Sequence, residues 1–181
     1  MTSFDLNFAK QDHFALFGLP RTFAVDRAEL DGLYRDVQAR VHPDKHAHMG
    51  DADRRIAMQW ATQVNEAYQT LLNPLRRARY LLELAGHDPR IETNTAMPPE
   101  FLMQQMEWRE AVAEARAGGD ADTLGELHQR LGRETRTQYE SLGEAIDGAH
   151  DWTRAADIVR QLMFQEKLLT EIDEALEAVE A

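Results

Sequence analysis

Two stretches of apolar residues at helical spacing flank the tripeptide His42-Pro43-Asp44, and this arrangement constrains the fold more than any other feature of the chain. The first stretch consists of Leu30, Leu33, Tyr34, Val37 and Val41, and the second of Ile56, Trp60, Val64, Ala67, Tyr68 and Leu71. Residues three and four apart lie on one face of an α-helix, so each stretch predicts an amphipathic helix. Pro43 disfavours helical geometry at His42 and so ends the first helix there. The pattern predicts a helical hairpin whose loop holds an imidazole and a carboxylate at a bend.

The rest of the first half also predicts helices. Asp12 can cap a short helix that ends at Gly18. Asp26 has the spacing to Glu29 that is typical of a capping box, and it starts the first helix of the hairpin. Asn73-Pro74 places a capping residue before a proline at the first helical position, which predicts a further helix ending at Gly86.

The second half predicts three long helices joined by short connections. Their approximate limits are 98–117, 122–147 and 151–179, and Gly118-Gly119 and Gly148 separate them. Short connections predict that neighbouring helices run antiparallel. No segment alternates as a strand would. We therefore predict an all-α protein in which an N-terminal extension (1–10) is followed by a hairpin domain (11–86), a linker (87–97) and a C-terminal three-helix bundle (98–181).

Composition excludes several classes of site. The 181-residue chain has no cysteine, so it cannot form a disulfide, a zinc site with thiolate ligands or an iron–sulfur cluster held by its own thiolates. Neither a secretory signal nor an apolar run as long as a membrane span is recognisable, and we expect a cytoplasmic protein. No nucleophile motif, phosphate-binding glycine loop or paired-carboxylate cleft is recognisable either, so we predict that the chain is not an enzyme and needs no cofactor.

Charge is unevenly distributed along the chain. Residues 1–88 carry 11 Lys and Arg against 12 Asp and Glu, for a net charge of −1, whereas residues 89–181 carry 9 against 20, for a net charge of −11. This asymmetry suggests two units with different partners, although acidity also keeps a helical surface soluble. Binding to nucleic acid or to anionic membranes needs clustered cations, and the excess of acidic residues argues against both.

The first long helix of the second half has two apolar faces. One stripe consists of Phe101, Trp108, Val112 and Ala115. Leu102, Met103 and Met106 point roughly 100–200° away from Phe101, with Glu107 and Glu110 beside them. One helix in a small bundle rarely needs two apolar faces, so the second one is either a protein-binding surface or is buried by a broad core or by contact with the hairpin domain.

The last helix repeats this feature. Its core stripe is predicted to contain Ile158, Leu162, Leu169, Ile172 and Leu176. Phe164 falls well outside that stripe. An apolar patch of Leu, Met and Phe edged by carboxylates is typical of a binding surface for a protein partner, because methionine adapts to a partner's contour.

A metal site is the main alternative for the hairpin loop. Its residues would be His42, His46 and His48 with Asp44 and Asp51. Histidines so close together in a loop rarely place three nitrogens around one ion without a supporting scaffold. We therefore predict no metal site, and a metal-binding helical protein is the less favoured interpretation.

Several of these segments together resemble a J domain. They are Phe14–Leu19, Val41-His42-Pro43-Asp44-Lys45, Val64–Leu71, Asn73-Pro74 and Arg79–Leu82. The Phe-x-Leu-Phe-Gly-Leu-Pro segment near the N-terminus, Arg79-Tyr80-Leu81-Leu82 and Phe101-Leu102-Met103 narrow the resemblance to the HscB family, the J-domain co-chaperones of iron–sulfur cluster assembly. Because the chain lacks the cysteine-rich N-terminal segment of eukaryotic members, it is similar to the bacterial type.

The resemblance implies two helical domains in an L shape and two partners. The J domain would bind an HscA-type, DnaK-class ATPase chaperone and stimulate its ATP hydrolysis. The residues implied are His42, Pro43, Asp44, Arg35, Arg40 and Lys45. The C-terminal bundle would bind an IscU-type iron–sulfur scaffold and deliver it to the chaperone. Its residues would be Leu102, Met103, Met106, Glu107, Glu110 and Phe164. A J-domain protein that serves a different client is the alternative within this interpretation.

Overall fold

All the regular secondary structure among the described residues is helical. The computed structural model describes residues 11–41, 50–87 and 97–180, apart from the side chains of residues 51–53. Within these ranges there are seven α-helices and no strand: α1 His13–Phe17, α2 Arg27–Val41, α3 Asp51–Leu72, α4 Pro74–Leu84, α5 Pro99–Gly118, α6 Ala121–Gly143 and α7 Trp152–Glu180. The contacts within the chain divide it into two compact units, unit 1 (Met1–Leu81) and unit 2 (Leu82–Ala181). The prediction of an all-α protein is confirmed.

Side-chain caps at the helix starts of unit 1 follow the predicted pattern. Asp12 Oδ1 accepts a hydrogen bond from the Ala15 N–H at 2.9 Å, and Asp26 Oδ1 accepts one from the Glu29 N–H at 2.8 Å. Asn73 Oδ1 accepts from the Arg76 N–H at 2.9 Å at the start of α4. Each cap satisfies a backbone donor that has no partner within its helix.

The apolar faces of α2 and α3 form the centre of unit 1. On α2 the side chains of Leu30, Val37 and Val41 are buried, and on α3 Val64 and Leu71 are fully buried. This agrees with the predicted stripes.

One residue of the predicted α3 stripe is placed wrongly. Ile56 is 38% exposed, and Ala57 is fully buried instead. Ile56 lies eight residues before Val64, which is about 80° more than two full turns of a helix. Ala57 lies seven residues before Val64, which is about 20° less than two full turns. Ala57 therefore lies in line with Val64, and Ile56 lies beside that line.

A set of polar contacts also joins α2 to α3. The Tyr34 hydroxyl donates to Asn65 Oδ1 at 2.7 Å, and Gln38 Nε2 donates to the Tyr34 hydroxyl at 3.0 Å. The Tyr68 hydroxyl donates to Asp31 Oδ1 at 2.8 Å, and the Tyr34 and Tyr68 rings stack at 4.1 Å. Because the pairs run in opposite directions along the two helices, α2 and α3 form an antiparallel hairpin.

The short helix α1 packs its aromatic face into unit 1. Phe14 is fully buried, and its ring lies 6.1 Å from the Tyr80 ring. The His13 ring stacks on the Tyr80 ring at 4.2 Å, and the backbone N–H of His13 donates to the Tyr80 hydroxyl at 3.1 Å. Nearby along the chain, the buried Arg77 guanidinium lies 5.0 Å above the Phe23 ring. These contacts attach α1 and the segment before α2 to α4.

Unit 2 contains a three-helix bundle. Gln138 on α6 donates to Gln161 on α7 at 3.0 Å, and His128 lies 3.2 Å from Asp173 further along. These pairs run in opposite directions, so α6 and α7 are antiparallel, as predicted from the short connection. The core of the bundle consists of Trp108, Val112, Ala115, Leu124, Leu131, Leu168, Ile172 and Ala175.

The predicted second helix of the bundle is not one continuous α-helix. The α-helix ends at Gly143, and a π-helical turn follows at Glu144–Gly148. The Ala149 N–H donates to the Glu144 carbonyl at 2.9 Å, which is the i to i+5 pattern of a π turn. His150, rather than Gly148, takes the left-handed conformation (φ 51°), with Nδ1 2.8 Å from the Ile146 carbonyl oxygen.

The core stripe of α7 also differs from the predicted one. Ile158, Leu162 and Ile172 are buried as predicted, but Leu169 and Leu176 are only half-buried. Leu168, Ala175 and Gln165 are buried instead. The stripe is therefore rotated by about one residue in the C-terminal part of α7, where the helix packs against both α5 and α6.

Candidate partner-binding surfaces

Helix α5 presents two faces with different burial. Phe101, Trp108, Val112 and Ala115 are all less than a tenth exposed, so they form the core face that the sequence predicted. Apolar residues also occupy the other face, where nothing in the described part of unit 2 covers them.

The second face of α5 is exposed at each predicted apolar position. The exposed fraction is 41% for Leu102, 62% for Met103 and 70% for Met106. Leu102 and Met106 are four residues apart, and Met103 and Met106 are three apart, so the three side chains are neighbours on the helix surface. The interpretation that a broad core of the monomer buries these residues is wrong.

Phe164 extends the surface onto α7. Its side chain is 38% exposed, and its ring meets the Phe101 ring edge-on at 6.2 Å with an angle of 81° between the planes. Phe101 directly precedes Leu102 in the chain, so Phe164 lies at the level of the first turns of α5. We call Leu102, Met103, Met106, Glu107, Glu110 and Phe164 the exposed α5–α7 face.

Carboxylates edge this face. Glu107 and Glu110 are both exposed. Glu110 follows Met106 by four residues and Glu107 follows Met103 by four, so both carboxylates lie beside the methionines. One turn along, Arg109 Nε lies 3.3 Å from Glu171 Oε2 and joins α5 to α7. The exposed α5–α7 face is therefore apolar in the middle and acidic on one side, as surfaces that bind another protein often are.

The second candidate surface lies at the loop end of the α2–α3 hairpin, and its described part belongs to α2. His42, Pro43, Asp44 and Lys45 lie outside the described residues, as do His46 and His48. Arg35 and Arg40 are both exposed on α2. The Arg35 Nε donates to the Asp31 carbonyl one turn earlier, at 3.2 Å. The hairpin thus carries two cationic side chains on its solvent side, close in sequence to the loop.

The carboxyl groups that cap α1 and α6 both have lowered pKa values. Burial raises the pKa of Asp12, but hydrogen bonds from the Ala15 N–H and the Arg21 guanidinium outweigh it and hold this pKa below the ordinary value. The Thr123 N–H and hydroxyl lower the pKa of the Asp120 carboxyl at the start of α6. Both carboxylates are charged at neutral pH and stabilise the helix starts that position the surfaces.

The sequence analysis missed three buried polar side chains in unit 2. Gln105, Thr135 and Gln165 are each less than a tenth exposed. Gln105 follows Phe101 by four residues and precedes Trp108 by three, so its helical spacing already places it on the core face. A polar residue in an apolar stripe was therefore the signal from which the burial of Gln105 could have been predicted.

The described residues give no support to a metal site or a membrane span. In the described part of the chain, no three His, Asp or Glu side chains are grouped closely enough to hold a metal ion. The metal site considered in the hairpin loop lies outside those residues. No helix among the described residues has the length and apolarity needed to span a membrane.

Comparisons with known proteins agree on one family. A family model described as the HSCB C-terminal oligomerisation domain matches residues 97–173. The co-chaperone protein HscB homolog of Aromatoleum aromaticum is 57% identical over 171 residues, which cover 94% of this chain and 97% of that protein. The homolog of Ralstonia nicotianae is 54% identical over 175 residues, which cover 97% and 99% respectively.

Solved structures show the same architecture. The chaperone HscB from Vibrio cholerae matches with a TM-score of 0.82 and 36% identity, over 93% of this chain and 99% of that one. The human co-chaperone protein HscB matches with a TM-score of 0.85 and 29% identity, over 91% of this chain and 81% of that one. Sequence identity over nearly the whole chain and an all-α fold with a J domain and a C-terminal helical bundle lead to one conclusion. The chain belongs to the HscB family of co-chaperones.

Proposed function

We propose that the chain is a cytoplasmic co-chaperone of iron–sulfur cluster assembly that binds two proteins at once. The exposed α5–α7 face binds an IscU-type scaffold, and the α2–α3 hairpin binds an HscA-type ATPase chaperone. The chain itself catalyses no reaction, because the chaperone hydrolyses the ATP. We assign residues 11–86 to the J domain, 87–97 to the linker and 98–181 to the scaffold-binding domain.

The observation that carries this proposal is the exposure of four large apolar side chains on two adjoining helices. Leu102, Met103, Met106 and Phe164 are each more than a third exposed. Removing apolar area from water contributes about 25 cal/mol for each Å² buried, so a partner that covers these side chains gains binding free energy. The flanking Glu107 and Glu110 favour a partner with basic residues at the matching positions.

The chaperone-binding part of the proposal depends on the loop between α2 and α3. Asp44 can accept charge-assisted hydrogen bonds from an arginine of the chaperone, and Pro43 fixes the bend that presents it. Arg35, Arg40 and Lys45 add positive charge that speeds the encounter with an acidic surface of the chaperone. The exposure of Arg35 and Arg40 on α2 supports this assignment.

The two surfaces act together by proximity. A scaffold bound to unit 2 is held near the chaperone that is bound to unit 1, so its effective concentration at the chaperone rises without any new contact. The J domain must also bind the hydrolysis-competent state of the chaperone more tightly than the other states, because only differential affinity shifts an equilibrium.

Calorimetric titration with the scaffold tests the proposed binding surface. Met103→Ala should weaken binding, because Met103 lies in the exposed α5–α7 face. Met58→Ala is a matched control, since Met58 is 60% exposed against 62% for Met103 but belongs to α3 in unit 1. Equal affinities for the wild type and both variants would remove the basis for the scaffold-binding assignment.

Stimulation of the chaperone's ATPase tests the other surface. His42→Gln and Asp44→Asn should each abolish stimulation while helicity and scaffold affinity stay at the wild-type level. Asp36→Asn is the control for Asp44→Asn, because Asp36 is an exposed carboxylate on α2 whose loss changes the net charge equally. Normal stimulation by Asp44→Asn would show that the loop does not act on the chaperone.

A further inference from the structure

An open groove of mixed polar and apolar lining runs beside the exposed α5–α7 face. It has a volume of about 860 Å³ and lies among the N-terminal half of α5, the C-terminal half of α6 and the middle of α7. Phe101 and Met103 line it on the α5 side, and Thr137 and Ser141 line it on the α6 side. We call it the amide groove, because four glutamines contribute to its walls: Gln104, Gln138, Gln161 and Gln165.

One of these glutamines has a buried side-chain oxygen without a hydrogen-bond partner among the described residues. Gln165 is only 3% exposed, and its Oε1 has no hydrogen-bond partner within the described part of the chain. A buried acceptor without a partner destabilises a fold, because nothing replaces the hydrogen bond that it made to water. Gln165 lines the groove, so a rotation of its side-chain amide would bring this buried oxygen within reach of a donor that enters the groove. By contrast, Gln138 and Gln161 already bond to each other at 3.0 Å.

The negative charge of the amide groove favours a positively charged donor. Three carboxylates line it, from Glu100, Glu107 and Glu134, whereas no lysine, arginine or histidine occurs among its described lining residues. Glu134 is partly balanced by Arg130, whose Nε lies 3.3 Å from its Oε1 on the exposed side of α6. A ligand with positive charge and N–H donors therefore complements the groove.

The form of the amide groove favours an extended polypeptide. Sites for small molecules bury most of the ligand's surface, whereas this groove is open to solvent. Its walls carry amide and hydroxyl groups beside apolar ones. An extended peptide offers a backbone N–H and a carbonyl at every residue, and side-chain amides can donate to one and accept from the other.

The amide groove is continuous with the exposed α5–α7 face. Met103 and Glu107 belong to both, so a protein bound to that face reaches the groove without crossing an uncovered stretch of surface. We infer that the amide groove binds an extended, basic segment of the same scaffold protein that covers the exposed α5–α7 face, with a backbone N–H of that segment donating to Gln165 Oε1. This inference rests on the proposed function.

Photo-crosslinking to the scaffold tests where the segment lies. Thr137→p-benzoylphenylalanine places a photoreactive group at the exposed rim of the amide groove, and Arg136→p-benzoylphenylalanine places one about 100° further round α6 as a control. With the full chain and purified IscU-type scaffold, position 137 should capture a scaffold peptide that contains lysine or arginine, and position 136 should capture none. Capture of only uncharged peptides at position 137, or of nothing, overturns the inference.

Charge-neutralising variants give an independent readout. The double variant Glu100→Gln with Glu134→Gln should weaken scaffold binding about fivefold. This effect should shrink at raised salt, because Glu100 is exposed and Glu134 is only half-buried. The control is Glu114→Gln with Glu177→Gln, which changes the net charge equally at exposed positions outside the groove. Equal affinities for the two double variants, with thermal unfolding unchanged, contradict the inference.

Leu102→Ala separates the two proposals. If Leu102→Ala weakens scaffold binding while the groove variant and the crosslinks show no effect, the exposed α5–α7 face binds the scaffold and the amide groove does not. If Leu102→Ala has no effect either, the proposed function fails together with the inference.

Discussion

The two units of the chain use the positions beside their core stripes in different ways. In unit 1 Tyr34 and Tyr68 lie at the edges of the α2 and α3 stripes, with Asn65 beside the α3 stripe, and their hydrogen bonds tie one helix to the other. In unit 2 the corresponding flank of α5 carries Leu102 and Met106, which contribute to no core and stay exposed. Both units are built from amphipathic helices, so the fold alone does not distinguish them. The residue types beside the stripe decide whether a helix surface holds the unit together or is available to a partner.

The exposure of apolar residues follows the same division. Unit 2 exposes Leu102, Met103, Met106 and Phe164 on two adjoining helices, whereas the large apolar side chains exposed in the described part of unit 1 are Ile56 and Met58 near the start of α3. We therefore expect truncations in the core to lower stability, truncations in the exposed α5–α7 face to lower affinity, and changes in the polar ties of unit 1 to have smaller effects on stability.

The largest expected effect is on the core of unit 2. Leu131→Ala should lower the free energy of unfolding by about 2–5 kcal/mol, because Leu131 is fully buried in the bundle and its truncation leaves a cavity. Urea denaturation followed by circular dichroism measures the change. A loss below about 1 kcal/mol would mean that the bundle collapses around the missing side chain more completely than its packing implies.

The next effect concerns affinity rather than stability. Leu102→Ala should weaken scaffold binding by about 1–3 kcal/mol, as for a moderate hot spot, while the urea midpoint stays close to that of the wild type. Calorimetry and denaturation on the same preparation measure both quantities. Unchanged affinity together with a lower midpoint would place Leu102 in the core and would erase the contrast between the two faces of α5.

A smaller effect is expected at the first cap of unit 1. Asp12→Ala should cost about 1 kcal/mol at neutral pH, because it removes the acceptor of the Ala15 N–H. The folded-state pKa of Asp12 lies below its ordinary value of 3.8, so the charged carboxylate stabilises the fold above that value. This stabilisation is lost as the pH falls through the lowered folded-state pKa.

The pH dependence supplies the control for this variant. The difference in stability between wild type and Asp12→Ala should be constant from pH 7 down to about 5 and should narrow below the ordinary pKa. Thermal unfolding at a series of pH values measures it. A difference that widens as the pH falls has the opposite sign and would contradict the assigned role of the carboxylate.

The smallest effect is expected at the polar ties of the hairpin. The hydrogen bond to Asp31 is the main reason that the pKa of Tyr68 lies above its ordinary value of 10.0, and burial adds to it. The protonated hydroxyl therefore stabilises the hairpin below pH 10, and this contribution is lost as the pH rises through the raised folded-state pKa. Tyr68→Phe should unfold at a slightly lower temperature at neutral pH and lose less stability than wild type in alkaline solution. If the unfolding temperatures of wild type and Tyr68→Phe depended on pH in the same way in alkaline solution, the hydrogen bond to Asp31 would not contribute to stability.

The sequence predicted the helices well because each carries local signals. Caps at Asp12, Asp26 and Asn73 lie where they were expected, and their hydrogen bonds involve residues only three positions away. The exposed position of Leu102 could also be predicted, because a helix of 20 residues has a single well-defined core stripe once Trp108 is placed on it.

What the sequence did not predict depends on contacts between helices. The burial of Gln165 and the half-exposure of Leu169 follow from how α7 packs against α5 and α6, which a count of 100° per residue does not contain. The π turn after α6 was missed because no residue type signals an i to i+5 hydrogen bond. The amide groove combines side chains from three helices, so it exists only in the assembled bundle.

Single-turnover ATP hydrolysis by the partner chaperone tests most directly whether two separate surfaces act together. The account predicts that the wild-type chain stimulates hydrolysis, and that adding the scaffold stimulates it further. Leu102→Ala should keep the first effect and lose the second, whereas Asp44→Asn should lose both. Full additional stimulation by the scaffold with Leu102→Ala, at concentrations that do not saturate the wild type, would contradict the account, because the scaffold would then reach the chaperone without the exposed α5–α7 face.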